Sequence, residues 1–321
     1  MPFVFRPAKR GQGERTALLI GIAGGTGSGK TYTAMRLASG MSGEKPFAVI
    51  DSEAGRALHY ADQFNFETGD LEAPFTPEAY LEAILAADKG GYPVIVVDSF
   101  SHEHESSGGL LEMHEAELQR MAGDDYRKRE ACTQAAWISV KGRHKKMIQR
   151  LLQLRTPMIF CMRAEEKVEM VRDPETKKMK MMPKKSLTGL DGWMPICERR
   201  FPFELTASFL VTADAPGYPK PIKLQEQHKP LFPLNQPINE ESGRRIAEWA
   251  SGSIGSVKTP TQHEPDAHTI AIQAAETLEA LKEAFTEAQT DARNARDAER
   301  LNRYVQEKDA RKVALEARSA A

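Results

Sequence analysis

Residues 24–31 read Gly-Gly-Thr-Gly-Ser-Gly-Lys-Thr, a complete G-x-x-x-x-G-K-T spacing, directly after the apolar run at 17–23. A strand, a glycine loop and a helix in that order form the context in which this spacing cradles phosphate. The run from Gly24 and Gly25 through Thr26, Gly27, Ser28 and Gly29 lets successive backbone N–H groups point into one concavity. A helix opening near Lys30 adds its positive N-terminal end. Lys30 is placed to reach the β- and γ-phosphates, the Thr31 hydroxyl to bind Mg²⁺, and Tyr32 follows beside them. The feature implies a nucleotide binder, with ATP and Mg²⁺ as the expected ligands.

The 321 residues allow one large domain with an appendage, or two domains. An apolar share of 40 % with 28 % charged residues is ordinary for a soluble globular chain. No apolar run approaches the ~20 residues of a membrane span, and the N-terminus lacks the apolar segment of a signal peptide. No membrane partner is expected. Cys132, Cys161 and Cys197 have no metal-ligand spacing and read as packed thiols in a reducing cytoplasm. Net charge is −1, but residues 111–200 carry 20 Lys and Arg against 13 Asp and Glu. That excess suits a surface for a polyanion, and equally a solvated helix face.

Apolar segments at 47–51, 94–98 and 157–162 read as further buried strands. Helical patterns occupy 30–41, 78–88, 109–121 and 131–154. Buried strands alternating with helices imply a mostly parallel α/β sheet. Residues 168–171 and 178–182 flank a turn signal and predict a β-hairpin with a basic second arm. Strands are expected at 203–212 and 221–225, in a stretch whose recurrent prolines suggest extended, edge-like chain. A helix at 240–251 closes a domain over 1–251. Residues 252–268 read as a flexible linker. Residues 269–321 read as a helical tail, a hairpin broken near 291–297, whose thin apolar stripe suits a protein partner, another subunit or its own domain.

The apolar strand ending in Asp98 gives a carboxylate to hold Mg²⁺ opposite Thr31. Hydrolysis also needs a group that orients water near the γ-phosphate. Glu53, just past the second strand, is one candidate; Glu103 and Glu105, just past the third, are others. The His102-Glu103-His104-Glu105 alternation would put both histidines on one face of a strand, but no further His or Cys completes a metal site.

The segment from Ile50-Asp51-Ser52-Glu53 to His59-Tyr60 resembles the one after the second core strand of RecA-like ATPases. The resemblance implies that Glu53 activates the attacking water and that Tyr60 stacks on adenine. The family's acidic adenine contact falls at Ala57, and Arg56 is offered there as a stacking group instead. At the place of the family's γ-phosphate sensor stands Arg163. The wider pattern over about residues 15–250, including Asp98 to Glu103, Gly108 to Glu112, Trp137 with Lys141, and Cys161 to Ala164, resembles phage-encoded AAA/RecA-type ATPases such as the Sak4-like single-strand annealing proteins. It implies an ATPase of phage or prophage DNA metabolism, in the cytoplasm of a bacterium or infected host, working as a ring or filament. Lys220 and Lys223 are candidates to complete a neighbouring subunit's site. DNA, single-stranded by preference, would meet Arg127, Lys128 and Arg129, the helix carrying Lys141, Arg143, Lys145 and Lys146, and the hairpin at 177–185. Two alternatives stay open. Residues 20–31 are also similar to the opening of uridine kinases, and a non-hydrolysing nucleotide-dependent assembly protein would use the charged tail.

Overall fold

The computed structural model describes residues 18–172, 177–185, 190, 192–253 and 266–294, together with 300, 301, 304, 305, 307–309, 311, 312 and 315. The chain divides into two compact units, Met1–Val257 and Lys258–Ala321.

In the larger unit the strands are β1 (Leu19–Gly24), β2 (Phe47–Asp51), β3 (Phe66–Asp70), β4 (Ile95–Asp98), β5 (Met158–Glu166), β6 (Val168–Arg172), β7 (Met179–Pro183), β8 (Trp193–Pro195), β9 (Ala207–Thr212) and β10 (Ala215–Lys223). The helices are α1 (Lys30–Ser42), α2 (Pro77–Gly90), α3 (His102–Glu105), α4 (Leu110–Ala122), α5 (Tyr126–Leu151), α6 (Phe201–Glu204) and α7 (Glu240–Ser251). The main sheet runs β10-β9-β1-β5-β4-β2-β3, with β8 paired to the far end of β5. Only β10 and β8 run antiparallel to their neighbours in it.

Both faces of this sheet are covered, so its inner strands are apolar throughout. Ile20, Ile22, Val49, Val96 and Ile159 pack under α1 and α7. Leu19, Ala23, Ala48, Ile50, Ile95 and Val97 pack on the other side, under α2 and α5. This is the α/β arrangement expected from the sequence, a mostly parallel sheet between helices.

Three sequence expectations need correction. β3 was not foreseen: it is an edge strand whose residues, apart from Phe66, face solvent, so it carries no apolar run. The strand expected from 203 begins only at Ala207, because Phe201–Glu204 makes one helical turn with Pro202 in its first positions. The strand expected at 221–225 starts earlier, at Ala215, and ends at Lys223. Pro216, Pro219 and Pro221 lack the N–H that an inner strand needs; β10 holds them at the edge, with shifts in register.

The smaller unit contains α8 (Ala267–Ala274), α9 (Leu278–Asn294) and further helical residues after 300. Asp266 caps α8 by accepting from the Thr269 N–H at 2.9 Å. Ile272, Leu281, Ala288, Ala292, Tyr304 and Leu315 make its own core. Much of the thin stripe read from sequence is therefore used internally, while Leu278 stays half exposed. A break falls at 275–277, where Thr277 Oγ1 accepts from the Ala280 N–H at 3.2 Å. Of the break expected near 291–297, residues 291–294 are still helical in α9, while 295–297, most of the linker, the turn at 173–176 and residues 1–17 lie outside the described residues.

The helix that leaves the glycine loop is fixed from behind. α1 and α7 approach so closely that a Cβ on Gly40 would come 1.8 Å from the Glu240 carbonyl oxygen, and one on Gly243 2.2 Å from the Leu37 oxygen. Arg36 clamps the same junction with two bonds to Glu240, at 2.8 and 2.7 Å. The clashing atoms are backbone, so they cannot swing aside. Gly40→Ala should therefore destabilise the larger unit by about 3 kcal/mol, read as a lowered denaturation midpoint with an unchanged slope. A midpoint equal to wild type would show that the helices separate freely.

Candidate nucleotide site

The glycine loop has the backbone its composition requires. Gly27 and Gly29 take φ of 73° and 76°, the left-handed region that favours glycine. Ser28 is buried and folds back to bond the Gly25 carbonyl at 2.7 Å. Gly24 is hemmed in: a Cβ there would meet Ser28 Oγ at 2.3 Å and the Val211 carbonyl at 2.7 Å. The turn from β9 into β10 lies against the loop, and the Gly217 N–H donates to the Ser28 carbonyl at 3.2 Å. No sequence signal pointed to this support.

Parallel register sets out the remaining groups. Gly24 pairs with Arg163, Asp98 with Cys161, and Asp51 with Asp98. Thr31 Oγ1 donates to Asp98 Oδ2 at 2.6 Å. Asp98 Oδ1 is buried and, among the described residues, has no hydrogen-bond partner. A hydroxyl and an orphaned carboxylate oxygen at the mouth of a phosphate loop form a hard, oxygen-only donor set, which fits a magnesium ion. Burial, reinforced by the nearby Glu53 charge, lifts the Asp98 carboxyl to about 6, against the pull of the Thr31 bond.

Glu53 stands on a turn built by Asp51. The buried Asp51 carboxylate accepts from the Glu53 N–H at 2.6 Å and from the Ala57 N–H at 2.7 Å. Between them Ala54 and Gly55 take φ of 58° and 77°. The Glu53 side chain is itself 5 % exposed, held by Arg163 at 3.0 Å and Arg56 at 2.7 Å. Burial alone would raise its carboxyl; the Arg163 bond and the charges of Arg56 and Lys30 outweigh this and hold it below the usual range. It therefore stays ionised at neutral pH.

Beneath this turn lies a buried polar network that sequence reading missed. The Ser99 N–H donates to Ser52 Oγ at 3.0 Å, Tyr80 OH to the Ser99 carbonyl at 2.7 Å, and Ser52 Oγ meets His102 Nδ1 at 2.9 Å. It ties the end of β2 to the end of β4. The available signal was that Asp51 ends its apolar strand just as Asp98 ends its own.

The other candidates fall in different places. Tyr60 stands with Tyr32 and Phe64 in an aromatic cluster, ring centres 5.9 and 6.5 Å away. Arg56 bonds Glu53. Glu105 lies 3.6 Å from Arg163, at the rim. Glu103 is fully buried against His144 of α5, at 2.9 Å, away from the water site expected of it. Residues 102–105 form a helical turn instead of a strand, so His102 and His104 point apart. Lys223 is bonded to the Phe203 carbonyl of its own chain at 2.6 Å, and Lys220 lies 4.0 Å from Asp214. Arg129 is tied to Glu115 on α4, and Arg143 to Glu78 on α2, so both hold α5 in place. Arg127, Lys128, Lys141, Lys145 and Lys146 are exposed.

A family model described as an AAA domain matches residues 16–195, more than half of the chain. The chain belongs to the AAA domain family. The matched span holds the loop, Glu53, Asp98 and Arg163, which makes this AAA domain a P-loop nucleotide-binding fold. Among solved structures it is similar to a KaiC-like protein from the archaeon Pyrococcus horikoshii OT3, at 14 % identity and a TM-score of 0.32, covering 64 % of this chain and 81 % of that one. No curated protein matches it. Among the described residues no helix is long and apolar enough to cross a membrane.

The Asp51 contacts give a kinetic expectation for the AAA domain. Asp51→Asn keeps the size of the side chain but cannot accept both N–H groups, so the Glu53 turn loosens. Nucleotide turnover should fall by roughly 10- to 100-fold, while the KM for nucleotide changes by less than about threefold. Parallel loss of binding would make Asp51 a general fold residue.

Proposed function

We propose that this AAA domain is a Mg²⁺-dependent, ATP-hydrolysing RecA-like ATPase that works on DNA, single-stranded by preference, in phage or prophage recombination or strand annealing. The observation that carries the hydrolytic part is the ionised, buried Glu53 on its Asp51-held turn, across from Lys30 and Asp98. Lys30 and the loop amides bind the phosphates and stabilise charge as the terminal phosphoryl group leaves. Thr31 and Asp98 would hold magnesium, which when bound supplies positive charge beside the phosphates. Glu53 orients water and accepts its proton, and Arg163 keeps that carboxylate in place.

The DNA part is supported by the chain segment beyond Arg163. β5 runs on into the antiparallel pair β6–β7, with Arg172, Lys178, Lys180, Lys184 and Lys185 on or beside it. One face of this ribbon sets Val168 against Pro183 and Met170 against Met181, all exposed. Cations for a backbone and an apolar face for bases occur together there. The phage setting and assembly into a ring or filament rest on the sequence resemblance, and the C-terminal helices are the proposed protein-binding part.

Phosphate release from Mg-ATP, with and without single-stranded DNA, tests the proposal. Wild type should turn over and be stimulated by DNA, whereas Lys30→Ala and Glu53→Gln should each lose about 100-fold or more. Turnover indifferent to DNA would remove the DNA part alone; full activity in Glu53→Gln would remove the hydrolytic assignment. The proton competes for the Asp98 carboxylate below its raised value. Magnesium-dependent nucleotide affinity should therefore decline as pH falls through about 6, in a titration across pH 5–8; an unchanged affinity at pH 5 would exclude Asp98 as the metal ligand.

A further inference from the structure

Away from the glycine loop, a cavity of about 240 Å³ opens between α5 and the segment that follows β8. Its lining includes Lys141, Lys145 and His144 from α5, and Glu198, Arg200 and Glu204 from that segment. We infer that this cavity is a second anion site, which takes a single phosphoryl group.

Three cations converge there, and among the described residues none of them forms an ion pair. Their neighbours differ: Arg143 and Arg129 on the same helix are each paired with a carboxylate. Lys141 lies 5.4 Å from the Trp137 ring centre, a contact that leaves its charge uncompensated by any acid. Glu198, the buried acid of the lining, already accepts from the Arg200 N–H at 2.6 Å.

The floor is a held imidazole. His144 is 5 % exposed. Its Nδ1 is committed to the carboxylate of Glu103, which is wholly buried on α3. That leaves Nε2 as its one ring nitrogen for a ligand, with Glu103 behind it fixing the ring. The ring also meets Phe201 at 6.4 Å between centres. Ammonium and guanidinium donors beside a held imidazole suit a phosphoryl oxygen cluster. The volume lies below the roughly 300 Å³ at which sites for drug-sized ligands begin. A single phosphate fits it; a whole nucleotide does not.

The phosphoryl group can come from a nucleic-acid backbone, in which case the inference rests on the DNA reading of α5, or from free phosphate. Inorganic phosphate is titrated by calorimetry into the full chain with its glycine loop saturated by ADP. The proteins compared are wild type, Lys145→Ala/Arg200→Ala, and Lys89→Ala, a lysine on α2 outside the cavity. Wild type and Lys89→Ala should bind phosphate, and the double variant at least tenfold more weakly. Equal binding by all three, or none by wild type, overturns the cavity as an anion site. A labelled single-stranded oligonucleotide then separates the sources. A backbone source predicts tenfold weaker oligonucleotide binding in the double variant, with the salt slope reduced by about 0.7 per removed cation. Loss of phosphate binding with oligonucleotide binding unchanged assigns the cavity to free phosphate. If wild type binds no oligonucleotide, the DNA reading fails by itself while the phosphate result still decides the cavity.

Discussion

Everything at the nucleotide site depends on the parallel register of four neighbouring strands. β1, β5, β4 and β2 end at one edge of the sheet, so Gly24, Arg163, Asp98 and Asp51 are neighbours although up to 139 residues separate them in sequence. A slip of one residue in β4 would turn Asp98 to the other face and break its 2.6 Å bond with Thr31. The apolar residues alternating into two separate cores oppose that slip on both faces at once. The core thus acts on function directly: burial of Val96 and Val97 fixes where a carboxylate sits. α7 adds the complementary constraint, seating α1 through Gly40 and Gly243 so that Lys30 and Thr31 begin their helix at a fixed distance from the sheet.

Electrostatics then separates three acids by their surroundings. Asp51 is buried and fully used by two backbone N–H groups, so it shapes a turn. Asp98 is buried with one oxygen bonded and one orphaned, a costly state unless a cation or a proton answers it. Glu53 is nearly as buried but sits between two guanidinium groups, which keep it charged. In the proposed mechanism that charge would orient water, at the cost of some basicity. Arg163 also reaches toward Glu105 and begins the chain segment leading to the β6–β7 ribbon. One side chain therefore touches Glu53 while its strand continues toward the exposed, basic β6–β7 pair.

Much of this was legible because it is local. The glycine loop, its strand and its helix are consecutive, and strands buried on both faces announce themselves as unbroken apolar runs. β3 was hidden because an edge strand facing solvent resembles a loop in composition. Glu103 was misjudged because spacing from Asp98 says nothing about direction; a single helical turn at 102–105 sends it into α5. The Ser52–Ser99–Tyr80–His102 network was invisible for a different reason: Tyr80 comes from α2 and joins residues that only the tertiary fold brings together.

The same distinction sorts the charges of α5, which in sequence look like one basic block. Arg129 and Arg143 have carboxylate partners on α4 and α2, so removing either would strip a tie between helices before it touched any ligand. Lys141 and Lys145, one turn apart, form no ion pair among the described residues and share a cavity with Arg200, the buried His144 and the acids Glu198 and Glu204. A cation already paired in the folded chain gains little from an added anion, because it must give up one partner to meet another. Cations without such a partner give up nothing when an anion arrives. Net charge along a helix therefore overstates its polyanion-binding surface, and the pairing of each residue is what identifies the part that remains available.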